Sequence, residues 1–226
     1  MISRRSDRPA SAVPASPHDG ADHFAAANAL DGRRSTNPSA PAPAGITPLK
    51  VVVAGGFAAG KTTFVDSISE ITPLTTEAPM TQYSVGVDNA GAVSTKTTTT
   101  VAMDFGRLTL SATTMLYLFG TPGQDRFWFM WDELTRGAVG AVVLVDTRRI
   151  ADCFGAIDYF ERRRTPYVIA LNRFDGVLAH PVEEVREALA VAPEVPVVVL
   201  DARDRESTRS ALIALTRHAI ARKSGR

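Results

Sequence analysis

A short glycine-rich stretch carries the residue types that hold phosphate groups. Residues 55–63 read GGFAAGKTT and follow the apolar run LKVVVA. The two glycines, the lysine and the hydroxyl match the pattern G-x-x-x-x-G-K-[ST]. In that pattern backbone N–H groups surround a phosphate chain, the lysine reaches its β and γ phosphates, and the hydroxyl binds Mg²⁺. We therefore predict a nucleotide-binding loop made of Gly55, Gly56, Phe57, Ala58, Ala59, Gly60, Lys61, Thr62 and Thr63.

A second polar stretch, LNRFD at 171–175, ends a later apolar run. Its residues Asn172, Arg173 and Asp175 match N-[KR]-x-D. A carboxylate at the last position accepts hydrogen bonds from the N1–H and the 2-amino group of guanine, and adenine offers neither. A site built on such hydrogen bonds rejects analogues that lack them. Asn and Asp are also common turn residues, so the stretch favours guanine only in combination with the phosphate-binding loop.

Three further stretches supply candidates for sensing and hydrolysing the terminal phosphate. In LYLFGTPGQDRF, the N–H of Gly123 is predicted to contact the γ-phosphate and Gln124 to orient the attacking water. In TKTTTTVAMDFG we select Thr100 as the hydroxyl that reaches Mg²⁺, although threonine also simply favours strands. In LDARDRE, the N–H groups of Ala202 and Arg203 are candidates for contacting the base oxygen.

Alternating strands and helices must position these residues. The sequence predicts six strands, at 49–55, 97–110, 113–120, 139–146, 165–172 and 195–202. The second and third are predicted to form an antiparallel pair. Helices are predicted at 60–70, 150–164, 181–191 and 207–222. This alternation indicates an α/β fold with a mostly parallel sheet and helices on both faces. Ligands of such sheets bind beyond the C-terminal ends of the strands, where the motifs lie.

The composition narrows the class of protein and its surroundings. The formal net charge is +1, so no strong field favours nucleic acid. Cys153 is the one cysteine, which suits a reducing cytoplasm, and we expect a cytoplasmic location with at most peripheral membrane contact. Half of the 14 prolines lie at or before Pro48, among alanine, serine and glycine. We predict a disordered tail over 1–47, a folded domain over 48–222 and a short basic tail over 223–226.

Residues 49–222 resemble the Ras-like small GTPases, more narrowly the bacterial gliding-motility MglA type, and within it the GTPases encoded in conservon operons. GGFAAGKTT, TTTTVAMDFG, LFGTPGQDRF and LNRFD carry the resemblance. It implies a P-loop NTPase fold with a six-stranded, mostly parallel sheet, and a switch between GTP-bound and GDP-bound states with Mg²⁺. It also implies a Roadblock/LC7-type regulator and a sensor-kinase-like protein as partners, with hydrolysis that is slow without a partner.

The chain departs from that family at three positions. Gly120 stands where Ras-like proteins have an aspartate near Mg²⁺, and Asp104 or Asp146 are the candidates to replace it. Phe57 stands where many members have a small residue, and a bulky side chain there can slow hydrolysis. Arg173 replaces the usual lysine, and its stem and planar head can still cover the base.

The source of positive charge for hydrolysis is left open among several arginines. The resemblance implies an arginine from the same chain, and the candidates are Arg107, Arg126 and Arg136, of which we select Arg126. Catalysis is therefore predicted to use Gln124, Lys61 and Arg126. Two alternatives are a binding module with negligible hydrolysis and, less in keeping with LNRFD, a P-loop ATPase. The aromatic stretch 127–131 forms either a partner surface or part of the core.

Overall fold

The computed structural model describes residues 4–5, 45–72, 74–81, 98–123 and 130–225. The strands in these residues are β1 (Thr47–Gly55), β2 (Leu74–Thr81), β3 (Thr98–Ser111), β4 (Thr114–Gly120), β5 (Gly140–Asp146), β6 (Tyr167–Asn172) and β7 (Val197–Leu200). The helices are α1 (Lys61–Ile68), α2 (Trp131–Thr135), α3 (Phe154–Arg163), α4 (Val182–Leu189) and α5 (Arg205–Ser224), with a 3₁₀ turn at Ile150–Cys153 before α3.

All seven described strands form one sheet in the order β2-β3-β4-β1-β5-β6-β7. Strand β1 lies at its centre and pairs in parallel with β4 and β5. Strands β5, β6 and β7 continue the parallel part, and β2, β3 and β4 pair antiparallel. The predicted α/β fold with a mostly parallel sheet is confirmed, as are the six predicted strands and the antiparallel pair.

The seventh strand, β2, was not predicted from the sequence. It reads LTTEAPMT and contains Pro79, which has no backbone N–H to donate to a neighbouring strand. Proline is tolerated at the edge of a sheet, where one side of the strand needs no partner. Strand β2 is the edge strand of the described sheet and pairs on one side with β3.

The buried side chains form two layers, one on each face of the sheet. Val52 and Ala54 of β1 face α3 and α4, whereas Val51 and Val53 face α1 and α5. Every residue of β5 is buried, as expected for a strand covered on both faces. Trp131 of the aromatic stretch belongs to this core and is buried against Tyr159 and Phe160 of α3, whereas Met130 packs with Leu134 in a smaller cluster. Residues 127–129 lie outside the described residues.

Residues 4–5 and 45–47 of the predicted N-terminal tail are described, and Thr47 begins β1. Arg4 and Arg5 contact α3 and α4. Residues 1–3 and 6–44 lie outside the described part of the chain, so disorder there stays a prediction. None of the described helices has the length and apolar composition that a membrane crossing requires.

Cys153 ends the 3₁₀ turn before α3, and its thiol is enclosed by the core. The Sγ–H donates to the carbonyl oxygen of Ile150 at 3.0 Å. Burial raises the pKa of this thiol to about 12 from its ordinary 9.0.

We predict that Cys153 resists alkylation in the folded protein. The thiolate is the reactive form, and a pKa of about 12 instead of 9.0 leaves about a thousandfold less thiolate at pH 8. Iodoacetamide labelling at pH 8, followed by mass spectrometry, should be slow in native protein and fast in guanidinium. The unfolded chain loses the thiol proton above pH 9, but the folded protein keeps it. The free energy of unfolding should therefore fall as the pH rises above 9. Equal labelling rates in the two conditions would contradict this assignment.

Candidate functional site

The predicted phosphate-binding loop joins β1 to α1 at the C-terminal edge of the sheet. Gly55 has a φ of 140°, and a Cβ there would lie 2.4 Å from the carbonyl oxygen of Leu144 in β5. Gly60 has a φ of 101°, and its Cβ would lie 2.5 Å from Nδ2 of Asn172. Both positions therefore require glycine. The shape of the loop is fixed by its close approach to β5 and to the end of β6.

Lys61 is buried within this loop. Its Nζ donates to the carbonyl oxygens of Gly55 at 3.1 Å and Gly56 at 2.6 Å. Burial lowers the pKa of Lys61 to about 8, and the charge of Asp104 opposes that shift. The loop after β4 reaches the same place, since a Cβ on Gly123 would lie 2.7 Å from Lys61 Nζ and 3.0 Å from the backbone nitrogen of Phe57. The structure thus brings together Lys61 and Gly123, the two residues predicted to contact the terminal phosphate.

Phe57 does not fill the loop. Its side chain is 62% exposed, so the ring projects away from the loop interior. Its carbonyl oxygen accepts a hydrogen bond of 2.6 Å from Nη2 of Arg149, which follows β5. Sequence reasoning missed Arg149, because two arginines after an apolar strand look like ordinary solvated residues. Its contact with Phe57 fastens the loop to the start of α3.

Asn172 connects three loops at the end of the sheet. Its side chain is 4% exposed. Nδ2 donates to the carbonyl oxygen of Ala59 at 3.1 Å, and Oδ1 accepts from the N–H of Ala202 at 3.0 Å. The sequence predicted that Asn172 binds the base, but in the structure both ends of its amide hold backbone. Asn172 therefore positions the phosphate-binding loop against the loops that follow β6 and β7.

The N–H groups of Ala202 and Arg203, predicted to contact the base, have partners within the protein. The N–H of Ala202 donates to Asn172, and the N–H of Arg203 donates to Oδ1 of Asp201 at 3.0 Å. A side-chain acceptor lies within reach of each N–H, and the buried N–H of Ala202 in particular requires such a partner.

Asp175, by contrast, is open to a ligand. Its side chain is 93% exposed and its φ is 55°, a left-handed conformation in the turn after β6. Nη1 of Arg203 lies 3.7 Å from its Oδ1. Arg203 also binds Asp201 through two hydrogen bonds, which lower the pKa of Asp201 to about 2. Arg173 is exposed beside Asp175, and its N–H donates to the carbonyl oxygen of Leu200 at 2.8 Å.

The carboxylate near Thr62 comes from β3. Oγ1 of Thr62 donates to Oδ2 of Asp104 at 2.8 Å. Asp104 is buried and pairs with Gly120 across β3 and β4. A Cβ on Gly120 would lie 2.9 Å from Oδ2 and 3.0 Å from Cβ of Asp104. The carboxylate of Asp104 therefore occupies the space that a side chain at position 120 would fill.

Asp146, the other candidate for that task, is engaged elsewhere. Both of its carboxylate oxygens accept hydrogen bonds of 2.8 Å from Arg148, and Arg149 lies 3.7 Å away. Burial opposes ionisation, but the hydrogen bonds from Arg148 hold the pKa of Asp146 below its ordinary value. Of the two alternatives that the sequence left open, the structure places Asp104 beside the hydroxyl of Thr62.

Two of the candidate catalytic arginines lie far from the loop. In the sheet, Arg107 of β3 lies opposite Tyr117 of β4, which in turn lies opposite Lys50 of β1. Nζ of Lys50 donates to the carbonyl oxygen of Arg136. Lys50 precedes Gly55 by five residues of β1, a distance of roughly 16 Å. The structure therefore places Arg107 and Arg136, the two candidates that were not selected, away from the site. Gln124 and Arg126 lie outside the described residues, and their roles stay predictions.

Thr100 lies within β3, opposite Pro79 of β2. It precedes Asp104 by four strand residues, which corresponds to roughly 13 Å. The structure therefore does not bring its backbone next to Thr62. The role of Thr100 as a magnesium ligand stays a prediction.

The fold and the loop define a P-loop nucleotide-binding protein with the sheet arrangement of a G domain. The chain belongs to the family described as "Conserved hypothetical ATP binding protein", which matches residues 53–222. A curated relative is the uncharacterized protein MJ1339 of Methanocaldococcus jannaschii. It is 32% identical over 129 residues, which make up 56% of this chain and 71% of the relative.

Two solved structures show a similar fold. The G domain of the T. maritima FeoB iron transporter is matched with a TM-score of 0.52 at 16% identity, over 76% of this chain and 99% of that domain. The cytosolic domain of the same transporter, in a GDP form, is matched with a TM-score of 0.53 at 16% identity, over 77% of this chain and 64% of that one. At this identity the likeness concerns the fold alone.

We predict that Asn172→Ala destabilises the fold and Asp175→Asn does not. The first change removes both hydrogen bonds of a buried amide and leaves two backbone groups without them, which should cost about 2–4 kcal/mol. The second changes an exposed side chain, and asparagine tolerates the left-handed backbone conformation of position 175. The free energy of unfolding should therefore change by no more than about 0.5 kcal/mol. Guanidinium unfolding of the two variants measures the difference. Similar midpoints would show that Asn172 does not hold the three loops together.

Proposed function

We propose that this protein is a GTP-binding molecular switch that hydrolyses GTP slowly. The observation that carries the proposal is the position of Asp175. Its carboxylate is exposed in a turn that Asn172 ties to the phosphate-binding loop. A nucleotide whose phosphates lie along Gly55–Thr63 would therefore present its base near this carboxylate.

The chemistry of that carboxylate favours guanine over adenine. An ionised carboxylate only accepts hydrogen bonds. Guanine offers two donors on one edge, its N1–H and its 2-amino group, and adenine has no donor pair in this arrangement. The family description mentions ATP, so the choice of base is the central question for this chain.

We expect GTP to compete for the site better than ATP, and Asp175→Asn to weaken guanine binding while favouring xanthosine triphosphate. The amide N–H of asparagine can donate to the 2-oxygen of xanthine. Guanine carries an amino group at that position, which is itself a donor and cannot accept this hydrogen bond. Competition against a fluorescent guanosine nucleotide measures all three affinities, and rejection of the mismatched base should reach at least tenfold. Glu183→Gln, which changes an exposed carboxylate of α4, is the control. Stronger competition by ATP in wild type would support the ATPase alternative.

The residues near Lys61 fit a magnesium ion bound together with phosphates. In the described residues no three His, Cys, Asp or Glu side chains are grouped as a metal site by themselves. Mg²⁺ suits such a place, because it keeps several waters and combines few protein ligands with phosphate oxygens. Thr62 would hold it, with Thr100 as the second predicted ligand, and Asp104 would orient this shell through its hydrogen bond to Thr62. When bound, Mg²⁺ neutralises charge on the β and γ phosphates.

We expect Asp104→Asn to raise the Mg²⁺ concentration that half-maximally slows nucleotide release, by about 10–100-fold. The exchange Asp104→Gly with Gly120→Asp should recover much of this loss, because the carboxylate returns to the same space from the neighbouring strand. Release of a fluorescent nucleotide, followed across a magnesium titration, measures the effect without requiring hydrolysis. Asp66→Asn is the matched control, since it removes an exposed carboxylate of α1 on which the charge of Asp104 also acts. An Asp104→Asn protein that behaves like Asp66→Asn would exclude this role.

The switch itself would consist of two loops that follow the state of the γ-phosphate. Gly123 already lies against Lys61, so a γ-phosphate held by Lys61 would displace or engage the loop after β4. Within this proposal Gln124 orients water, Arg126 supplies positive charge, and a Roadblock/LC7-type regulator of an MglA-type or conservon system is the expected partner. A module with negligible hydrolysis was suggested by Phe57 and Gly120. The exposed ring of Phe57 and the carboxylate of Asp104 both weaken that alternative.

A further inference from the structure

A group of guanidinium acceptors lies between the ends of α3 and α4, away from the phosphate-binding loop. Arg5 fills it. Nε of Arg5 donates to Oδ1 of Asp158 at 2.7 Å, and Nη1 donates to Oε1 of Glu161 and to the carbonyl oxygen of Leu189, both at 3.3 Å. Nη2 binds the carboxylate of Glu161. One side chain thus contacts two carboxylates of α3 and a carbonyl at the end of α4.

Features other than Arg5 itself also favour a cation at these acceptors. Asp158 and Glu161 are three residues apart on α3 and lie on the same face, where two like charges repel each other. Glu161 is also oriented by Tyr167, whose hydroxyl donates to Oε1 at 2.8 Å. Leu189 is the last residue of α4, and carbonyls at that end carry the negative partial charge of the helix. A cation placed between them relieves the repulsion and satisfies the carbonyl.

The contacts distinguish Arg5 from its neighbour. The side chain of Arg5 is 12% exposed, whereas that of Arg4 is 55% exposed and pairs with the exposed Glu187. Contacts in three directions from one planar group suit a guanidinium, because an ammonium is a compact charge without this fork of donors. A surface ion pair such as the one at Arg4 contributes little, but a mostly buried one that loses a partner leaves an uncompensated charge.

We propose that this α3–α4 site is a specific arginine-binding pocket, and that Arg5 of the same chain is its occupant. The chain entering β1 at Thr47 is the second fixed point of the N-terminal segment. The contacts of Arg5 therefore fix a point of the chain that lies far before β1 in sequence, and they oppose the entropy cost of fixing it there. This function of the pocket does not depend on which nucleotide the protein binds.

The first test is a double-mutant cycle in the full chain with Arg5→Ala, Glu161→Gln and the two combined. We expect each single variant to lower Tm by about 2–4 °C and the combination to lower it by little more than the larger single effect, because the same contact is lost once. Arg5→Lys should not restore Tm, and Arg4→Ala should leave it unchanged. Additive effects, or no effect of Arg5→Ala, would overturn the proposal.

The second test reads the position of Arg5 directly and needs no destabilised protein. Phenylglyoxal modifies accessible guanidinium groups, and tandem mass spectrometry separates modification at Arg4 from that at Arg5. In wild type we expect Arg5 to react several-fold more slowly than Arg4, and in Glu161→Gln the two should react at similar rates. Equal rates in wild type would show that Arg5 is not held in the pocket.

Discussion

The candidate site depends on one buried amide, the side chain of Asn172. Three loops meet at the C-terminal edge of the sheet, and none of them has a helix or strand of its own to fix its shape. Asn172 donates to the carbonyl oxygen of Ala59 in the loop after β1 and accepts from the N–H of Ala202 in the loop after β7. Asn172 itself is the last residue of β6, directly before the remaining loop. An amide can donate and accept at once, which is why a residue of this type holds two backbones of opposite polarity. The separation between the lysine of the first loop and the carboxylate of Asp175 follows from this contact.

The carboxylate near Thr62 shows that either of two neighbouring strands can supply an acidic group to the same place in a sheet. Asp104 and Gly120 are directly opposite each other in an antiparallel pair, so their side-chain positions are neighbours in space though far apart in sequence. There is room for only one side chain between these two positions. Because Gly120 of β4 has no side chain, the carboxylate of Asp104 of β3 occupies the space. The absence of an aspartate from β4 is therefore compatible with a carboxylate at Thr62.

The sequence predicted the features that repeat along the chain and those with a fixed short spacing. Apolar, β-branched runs of buried strands such as β5 and β6 identified the parallel sheet, and the spacing of Gly55, Gly60, Lys61 and Thr62 identified the loop. It did not predict β2, because an edge strand has little buried surface and tolerates polar residues and proline. It also could not assign the N–H of Ala202, since its acceptor, the side chain of Asn172, is brought there by a tertiary contact. Arg149 was missed for the same reason: its partner, the carbonyl of Phe57, lies on another loop.

Helix α3 and the turn before it connect parts of the molecule that the sequence does not relate. At one end, Gly56 approaches Asp152 so closely that a Cβ would lie 2.5 Å from its Cβ, and Arg149 holds the carbonyl of Phe57. In the middle, the hydroxyl of Tyr159 donates to Asp132 of α2, which follows the loop after β4. At the far end, Glu161 holds Arg5. Since packed interiors deform little, a shift of the phosphate-binding loop at Gly56 must either break its contact with Asp152 or be taken up by the whole helix. In the second case it reaches α2 and the arginine pocket together.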